Sequence, residues 1–163
     1  MKKIAVSFFV LLLVAGACFN MRDKKIKEEV LLPDGYRGCS YIVYDISNTP
    51  KLEMKDDTII YKLNEHGVLA TSSPQHFGWD NEKSSPNLDR HYYYVSKNGA
   101  KKEISLDNIQ SEGNGSTSKE GTEELTFRSF YLGSEDEFKK FEDASNGLGC
   151  LNYDDVLRRL NEK

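Results

Sequence analysis

Most of the features that mark a functional class are missing from this chain. It has one tryptophan, three cysteines and four prolines, and its Lys and Arg (22) are outnumbered by Asp and Glu (26), for a net charge of −4. Without a basic stripe, a nucleic-acid partner is excluded. The most apolar run, Ile4 to Ala15, is twelve residues with only Ser7 polar, short of the roughly 20 residues that a membrane-spanning helix needs. Gly113 to Lys119 lacks the Gly-x-x-x-x-Gly-Lys-Ser/Thr spacing and a strand-to-helix setting, so its amides are not aimed at a phosphate. There is no nucleophile elbow, and neither Cys39 nor Cys150 sits in an activating motif. Catalysis has no positive signal, and no cofactor is expected.

The N-terminus carries the clearest pattern. Met1-Lys2-Lys3 is a short basic start, Ile4 to Ala15 an apolar core, and Gly16-Ala17 a pair of small residues before Cys18. That order is the signature of a secretory signal peptide. The string Val14-Ala15-Gly16-Ala17-Cys18 resembles the bacterial lipobox, with Ala15 where Leu is usual. The resemblance implies that Cys18 becomes the first mature residue and carries acyl chains, palmitate among them; two or more chains give stable anchoring. An ordinary cut after Ala17, leaving a plain thiol, is the alternative. No Asp follows at the second position after Cys18, and inner and outer membrane both stay open. The expected address is a bacterial cell envelope, with the domain outside the cytoplasm and the membrane as a partner through the lipid.

Assigning Cys18 to lipid leaves Cys39 and Cys150, one near each end of the folded part. In an oxidising compartment they could form a long-range disulfide; two separate buried thiols are the alternative. Without residues 1–17 the chain keeps 146 residues and a net charge of −6, enough for one domain with a single core.

Residues 18–29, with Arg22, Asp23, Lys24, Lys25, Lys27, Glu28 and Glu29, show no periodic apolar face and read as a tether. Residues 30–163 read as a single β-rich domain. Strands are expected at Gly38–Tyr44, Thr58–Leu63, Val68–Thr71, His91–Ser96, Ala100–Leu106 and Leu125–Leu132. Asn98-Gly99 is strong hairpin chemistry, and Asn64 to Gly67 suits a second hairpin. Ser134-Glu135-Asp136-Glu137 is a capping box opening a helix with Phe138 and Phe141 on one side; Asn152 or Asp154 can cap another. Ser72–Arg90 and the Gly/Ser-rich Ser111–Thr122 read as loops, the second flexible. Strands followed by two short helices indicate a mainly β domain, an antiparallel sandwich or barrel with C-terminal helices.

From Leu32 to about Phe138 the chain resembles a family of small exported bacterial proteins of unknown function. The resemblance rests on Pro33-x-Gly35-Tyr36-x-Gly38, Val43-Tyr44-Asp45, Gly67-Val68-Leu69-x-Thr71-Ser72-Ser73, Gly78-Trp79, Tyr93-Tyr94-Val95 with Gly99, and Leu132-Gly133-Ser134-x-x-Glu137-Phe138. It implies no activity, and Cys39 is not part of the pattern.

Two candidate sites remain. Trp79 with Tyr92, Tyr93 and Tyr94 offers an aromatic surface for an envelope protein or a glycan, against the alternative that most of these rings are core. His76, Asp80, Asp89 and His91 are ligand-competent types around one loop, but without paired spacing no metal is expected. The expectation is a lipid-anchored module acting by binding or structure. A small envelope hydrolase or metal-dependent enzyme, and an immunity or inhibitor protein, are the alternatives.

Overall fold

The chain crosses repeatedly between two sheets, and these crossings decide the architecture. The computed structural model describes residues 26–79, 88–118, 120 and 124–161. The expected leader, Cys18 and the first part of the tether lie outside the described residues.

Strand β1 (Ile26–Pro33) crosses through the Pro33–Tyr36 turn to β2 (Gly38–Val43) in the opposite sheet. The chain then returns to β3 (Glu53–Lys55) and β4 (Thr58–Lys62), crosses again to β5 (Val68–Ala70), and returns to β6 (Leu88–Val95) and β7 (Lys101–Glu103). It ends in β8 (Ile109–Thr117) and β9 (Leu125–Leu132), followed by α1 (Glu135–Ala144) and α2 (Tyr153–Asn161). The sheets are ordered β3-β4-β1-β6-β7 and β5-β2-β9-β8. They form an open sandwich, not a closed barrel. Because each crossover passes through the other sheet, β1 runs parallel to both β4 and β6, and β2 parallel to β5. The sheets are therefore mixed, where purely antiparallel ones were expected.

The expected tether ends too late. Ile26 to Glu29 belong to β1, the middle strand of the five-stranded sheet, with Ile26, Glu28, Val30 and Leu32 buried in alternation. The apolar period was hidden because one inward position holds a carboxylate. The hairpin expected at Asn64–Gly67 is also replaced. Asn64 N–H donates to Val68 C=O (2.9 Å) and closes a turn, but both edges of β4 are already taken by β1 and β3, so β5 joins the other sheet. The Asn98–Gly99 hairpin does form, pairing Tyr93 with Glu103. Ser111 to Thr117, expected as flexible loop, is strand: β8 pairs with β9 from Ile109 to Thr117, with an irregularity between Gln110 and Gly113 where Ser111 adopts φ 51°. Backbone pairing suffices there without apolar side chains.

One core lies between the sheets, built from Ile26, Val30, Leu32, Ile42, Ile59, Tyr61, Tyr92, Phe130 and Leu132. A second lies on the far face of the smaller sheet, where Tyr41, Val43, Val68, Leu125 and Phe127 are covered by Val156, Leu157, Leu160 and Phe141 of the helices. Strand β9 is thus buried on both faces, which explains its imperfect alternation. The capping box forms as expected: Glu137 N–H donates to Ser134 Oγ (3.3 Å) and Ser134 N–H to Glu137 Oε2 (2.7 Å).

A disulfide joins Cys39 on β2 to Cys150, just before α2, with Cα atoms 5.5 Å apart. Beside it, Arg159 Nη1 donates to Tyr36 Oη (2.9 Å) and to the carbonyls of His66 (2.9 Å) and Cys39 (3.1 Å). The Tyr36 hydroxyl donates in turn to Cys39 C=O. This knot accounts for two pieces of the motif pattern, since Tyr36 lies against Gly67. A Cβ on Gly67 would come within 2.1 Å of the Tyr36 hydroxyl, and the backbone there has φ +73°.

Replacing Gly67 by Ala is expected to cost about 1–3 kcal/mol, read from urea unfolding, because strain and displacement of a half-buried ring add. A change within experimental error would refute the close packing of Tyr36 on Gly67. Reducing the disulfide reopens a loop of sequence separation 111 and is expected to lower stability by about 2–5 kcal/mol. An unchanged denaturant midpoint in reductant would refute that contribution.

Candidate functional site

The densest group of ionisable side chains lies inside the sandwich. Position 28 on β1 points inward, so the fold places a Glu among Val30, Ile59 and Phe130. Arg128 on β9 points inward from the opposite sheet. Arg128 Nη1 donates to Glu28 Oε2 at 2.7 Å, and both side chains are only 3% exposed. Arg90, the register partner of Glu28 on β6, donates from Nε to the same Oε2 at 2.6 Å. The Tyr61 hydroxyl donates to Glu28 Oε1 at 2.9 Å. On the solvent side Arg90 Nη1 donates to Glu112 of β8 at 2.7 Å. Two carboxylates and two guanidinium groups make the cluster neutral, which is what burial requires.

Burial opposes ionisation of Glu28, but the charges of Arg128 and Arg90 and their hydrogen bonds outweigh it, and the carboxyl is held below its ordinary value of 4.5. Glu28 is therefore a fixed anion and not a proton donor near neutrality. Arg128 lies over the Tyr61 ring, 4.6 Å from its centroid. Its Nε lies 3.9 Å from Glu112 Oε1, and its Nε and Nη2 make no hydrogen bond among the described residues. The cluster fastens the sheets together, and its groups are poorly placed for acid–base catalysis.

The expected aromatic surface is divided. Tyr92 is buried, its ring meeting Phe130 edge-on at 5.1 Å. Tyr94 packs on the same core and donates its hydroxyl to Tyr36 C=O (3.1 Å), and Trp79 packs against that core too. Tyr93 alone projects from the outer face of the larger sheet, stacked on His91 (6.3 Å) with Lys101 Nζ 5.5 Å from its centroid. The four rings do not form one exposed platform, because alternation along β6 turns Tyr92 and Tyr94 inward.

The histidine candidates separate similarly. His91 Nε2 lies 3.4 Å from Asp89 and Nδ1 3.0 Å from Glu103. His76 sits in the Pro74–Phe77 turn, and Asp80 lies outside the described residues. Among the described residues no group of three or more His, Cys, Asp or Glu is placed to hold a metal ion. Nor is any helix among them long and apolar enough to cross a membrane.

Sequence reading missed Glu28, Arg90, Arg128 and Glu112. Two signals were available: an acid in the i, i+2 series Ile26-Glu28-Val30-Leu32, and a base in the series Arg128-Phe130-Leu132. Opposite charges embedded in two apolar strands imply that the strands face one another.

The model of DUF6843, a family of unknown function, matches residues 24–141. A crystal structure of a candidate lipoprotein from Bacillus anthracis has the same fold, with TM-score 0.55 at 20% identity, covering 69% of this chain and 73% of that one. A comparison with curated proteins gives no match.

Replacing Glu28 by Gln leaves buried Arg128 with only the longer, 3.9 Å contact to Glu112 and is expected to cost about 3–5 kcal/mol. The double replacement Glu28→Leu with Arg128→Met is expected to cost less than Glu28→Leu alone or Arg128→Met alone, a coupling read from the double-mutant cycle of those variants. The carboxyl of Glu28 is depressed on folding, so its contribution is complete above the unfolded value and disappears as pH falls through the folded one. Stability is therefore expected to drop below about pH 4.5 in the native chain, and additive single-mutant energies would refute the coupling.

Proposed function

The chain belongs to that family of unknown function, and from this premise we propose that it is an exported, lipid-anchored module of the bacterial cell envelope that acts by binding and not by catalysis. The observation that carries the reading is the disposal of the three thiols. Cys39 and Cys150 are bonded to each other, a pairing that persists in oxidising compartments. Cys18 is left over, directly after an apolar core and the small residues Gly16-Ala17. That arrangement suits a leader whose cysteine is acylated. The Bacillus anthracis protein of similar fold, itself a candidate lipoprotein, supports the reading. Binding is favoured over catalysis because the buried acidic group is a locked anion and the half-buried His91 is flanked by the carboxylates of Asp89 and Glu103.

Cells fed an alkyne-tagged palmitate are expected to label the native chain in the membrane fraction. The Cys18→Ala variant is expected to be unlabelled and to leave that fraction. An unlabelled native chain with its leader intact in the cytosol would overturn the reading.

A further inference from the structure

Three neighbouring strands of the larger sheet, β4, β1 and β6, run parallel and therefore end together, at Lys62, Pro33 and Val95. Their connections then part. β1 leads into the Pro33–Tyr36 turn, β4 into the crossing to the other sheet, and β6 into the Asn98–Gly99 hairpin. Where connections diverge beyond the carboxyl ends of parallel strands, a crevice is left. Here it is a half-open pocket of about 440 Å³ floored by Leu31, Pro33, Leu63 and Val95, within the size range of small-molecule sites.

The character of the outer face changes at this pocket. Outward positions of β1 nearer its start are ionic: Lys27 pairs with Glu29 (3.1 Å), and Glu29 with Lys101 of β7 (2.6 Å). The next outward positions, Leu31 and Pro33, are apolar and half-buried. Lys62 and Lys97 stand at the pocket's rim, exposed, and no carboxylate among the described residues pairs with either ammonium group. Asp34 also reaches the rim and leaves one net positive charge there. An apolar floor beneath two uncommitted ammonium groups is complementary to a molecule with a short hydrocarbon body and one anionic head.

We infer that this pocket binds a single-chain anionic amphiphile, a medium-chain carboxylate, with its tail on Leu31 and Val95 and its head at Lys62 and Lys97. The inference uses the folded domain alone and does not rest on the lipid anchor.

The test is calorimetry with decanoate, below its micellar concentration, on the chain from residue 18 onward carrying Cys18→Ser. One-to-one saturable binding is expected, with amide shifts in an NMR titration centred on Leu31 and Val95. Lys62→Glu with Lys97→Glu, both at exposed positions, is expected to weaken it about tenfold or more, and Asp34→Asn to tighten it. Decyltrimethylammonium, with the same tail and the opposite charge, is expected not to bind. Absence of saturable decanoate binding would overturn the inference. Equal binding of the cation, or full affinity in the doubly reversed variant, would also overturn it. Retention on anionic phospholipid vesicles without decanoate binding would assign the lysines to a membrane surface and overturn it too.

Discussion

The carboxylate of Glu28 and the guanidinium of Arg128, 2.7 Å apart between the sheets, form the contact on which the rest of the sandwich depends. Each charge is intolerable where it stands without the other. A slip of β1 by one residue would turn Glu28 outward, bring Lys27 and Glu29 inward, and strip Arg128 of its partner. The pair therefore fixes the register of the middle strand of one sheet against a middle strand of the other. Burial of Ile26, Val30 and Leu32 drives the two layers together. The ion pair adds little net attraction, but it rejects the wrong alignment. Arg90 and Tyr61 extend the same constraint to both neighbours of β1, because each bonds to Glu28 from an adjacent strand.

The helical layer is held by different means. Helices of this length have little intrinsic stability, and α1 contributes Phe141 to the second core, with Phe138 packing beside it on Tyr131. The disulfide and Arg159 supply the missing attachment at one place, where β2, the β4–β5 turn and α2 converge. The matched family region stops at residue 141, before Cys150 and α2. The attachment of α2 thus lies beyond the part of the chain shared through the family, while its anchors on the sheet side, Tyr36 and Gly67, belong to the motif pattern itself. Thr71 and Ser73 in that pattern are buried as well. Ser73 Oγ accepts from Leu52 N–H (2.9 Å) and Thr71 Oγ1 donates to Pro50 C=O (2.9 Å), pinning the connection between β2 and β3.

What the sequence disclosed and concealed follows from these contacts. Strands rich in Tyr, Val and Ile were legible because a half-buried surface selects such residues, and the capping box was legible because its two hydrogen bonds are local. β1 was concealed by its buried carboxylate, whose partner lies a hundred residues away. β8 was concealed by glycine and serine, which report neither burial nor period; only its pairing with β9 makes it a strand. The Tyr92–Tyr94 run was legible as alternating, yet which parity faced the core depended on β1 lying beside β6. Crossing between sheets, the source of the parallel pairings, is a property of the whole topology and has no local signal in Asn64–Gly67.

The direction of β1 links the proposed anchor to the pocket. The described residues begin at Ile26, at one end of a strand whose other end, Pro33, is part of the pocket floor. At a rise of about 3.3 Å per residue these points lie some 23 Å apart. β4 and β6 run the same way and carry Lys62 and Val95 to that far end. An anchored domain standing on its tether would therefore hold the pocket away from its own bilayer, facing whatever the envelope presents opposite. The crossover topology that forces these three strands to be parallel is thus also what gathers their ends, with Lys62 beside the apolar floor, at the edge of the sheet opposite Ile26.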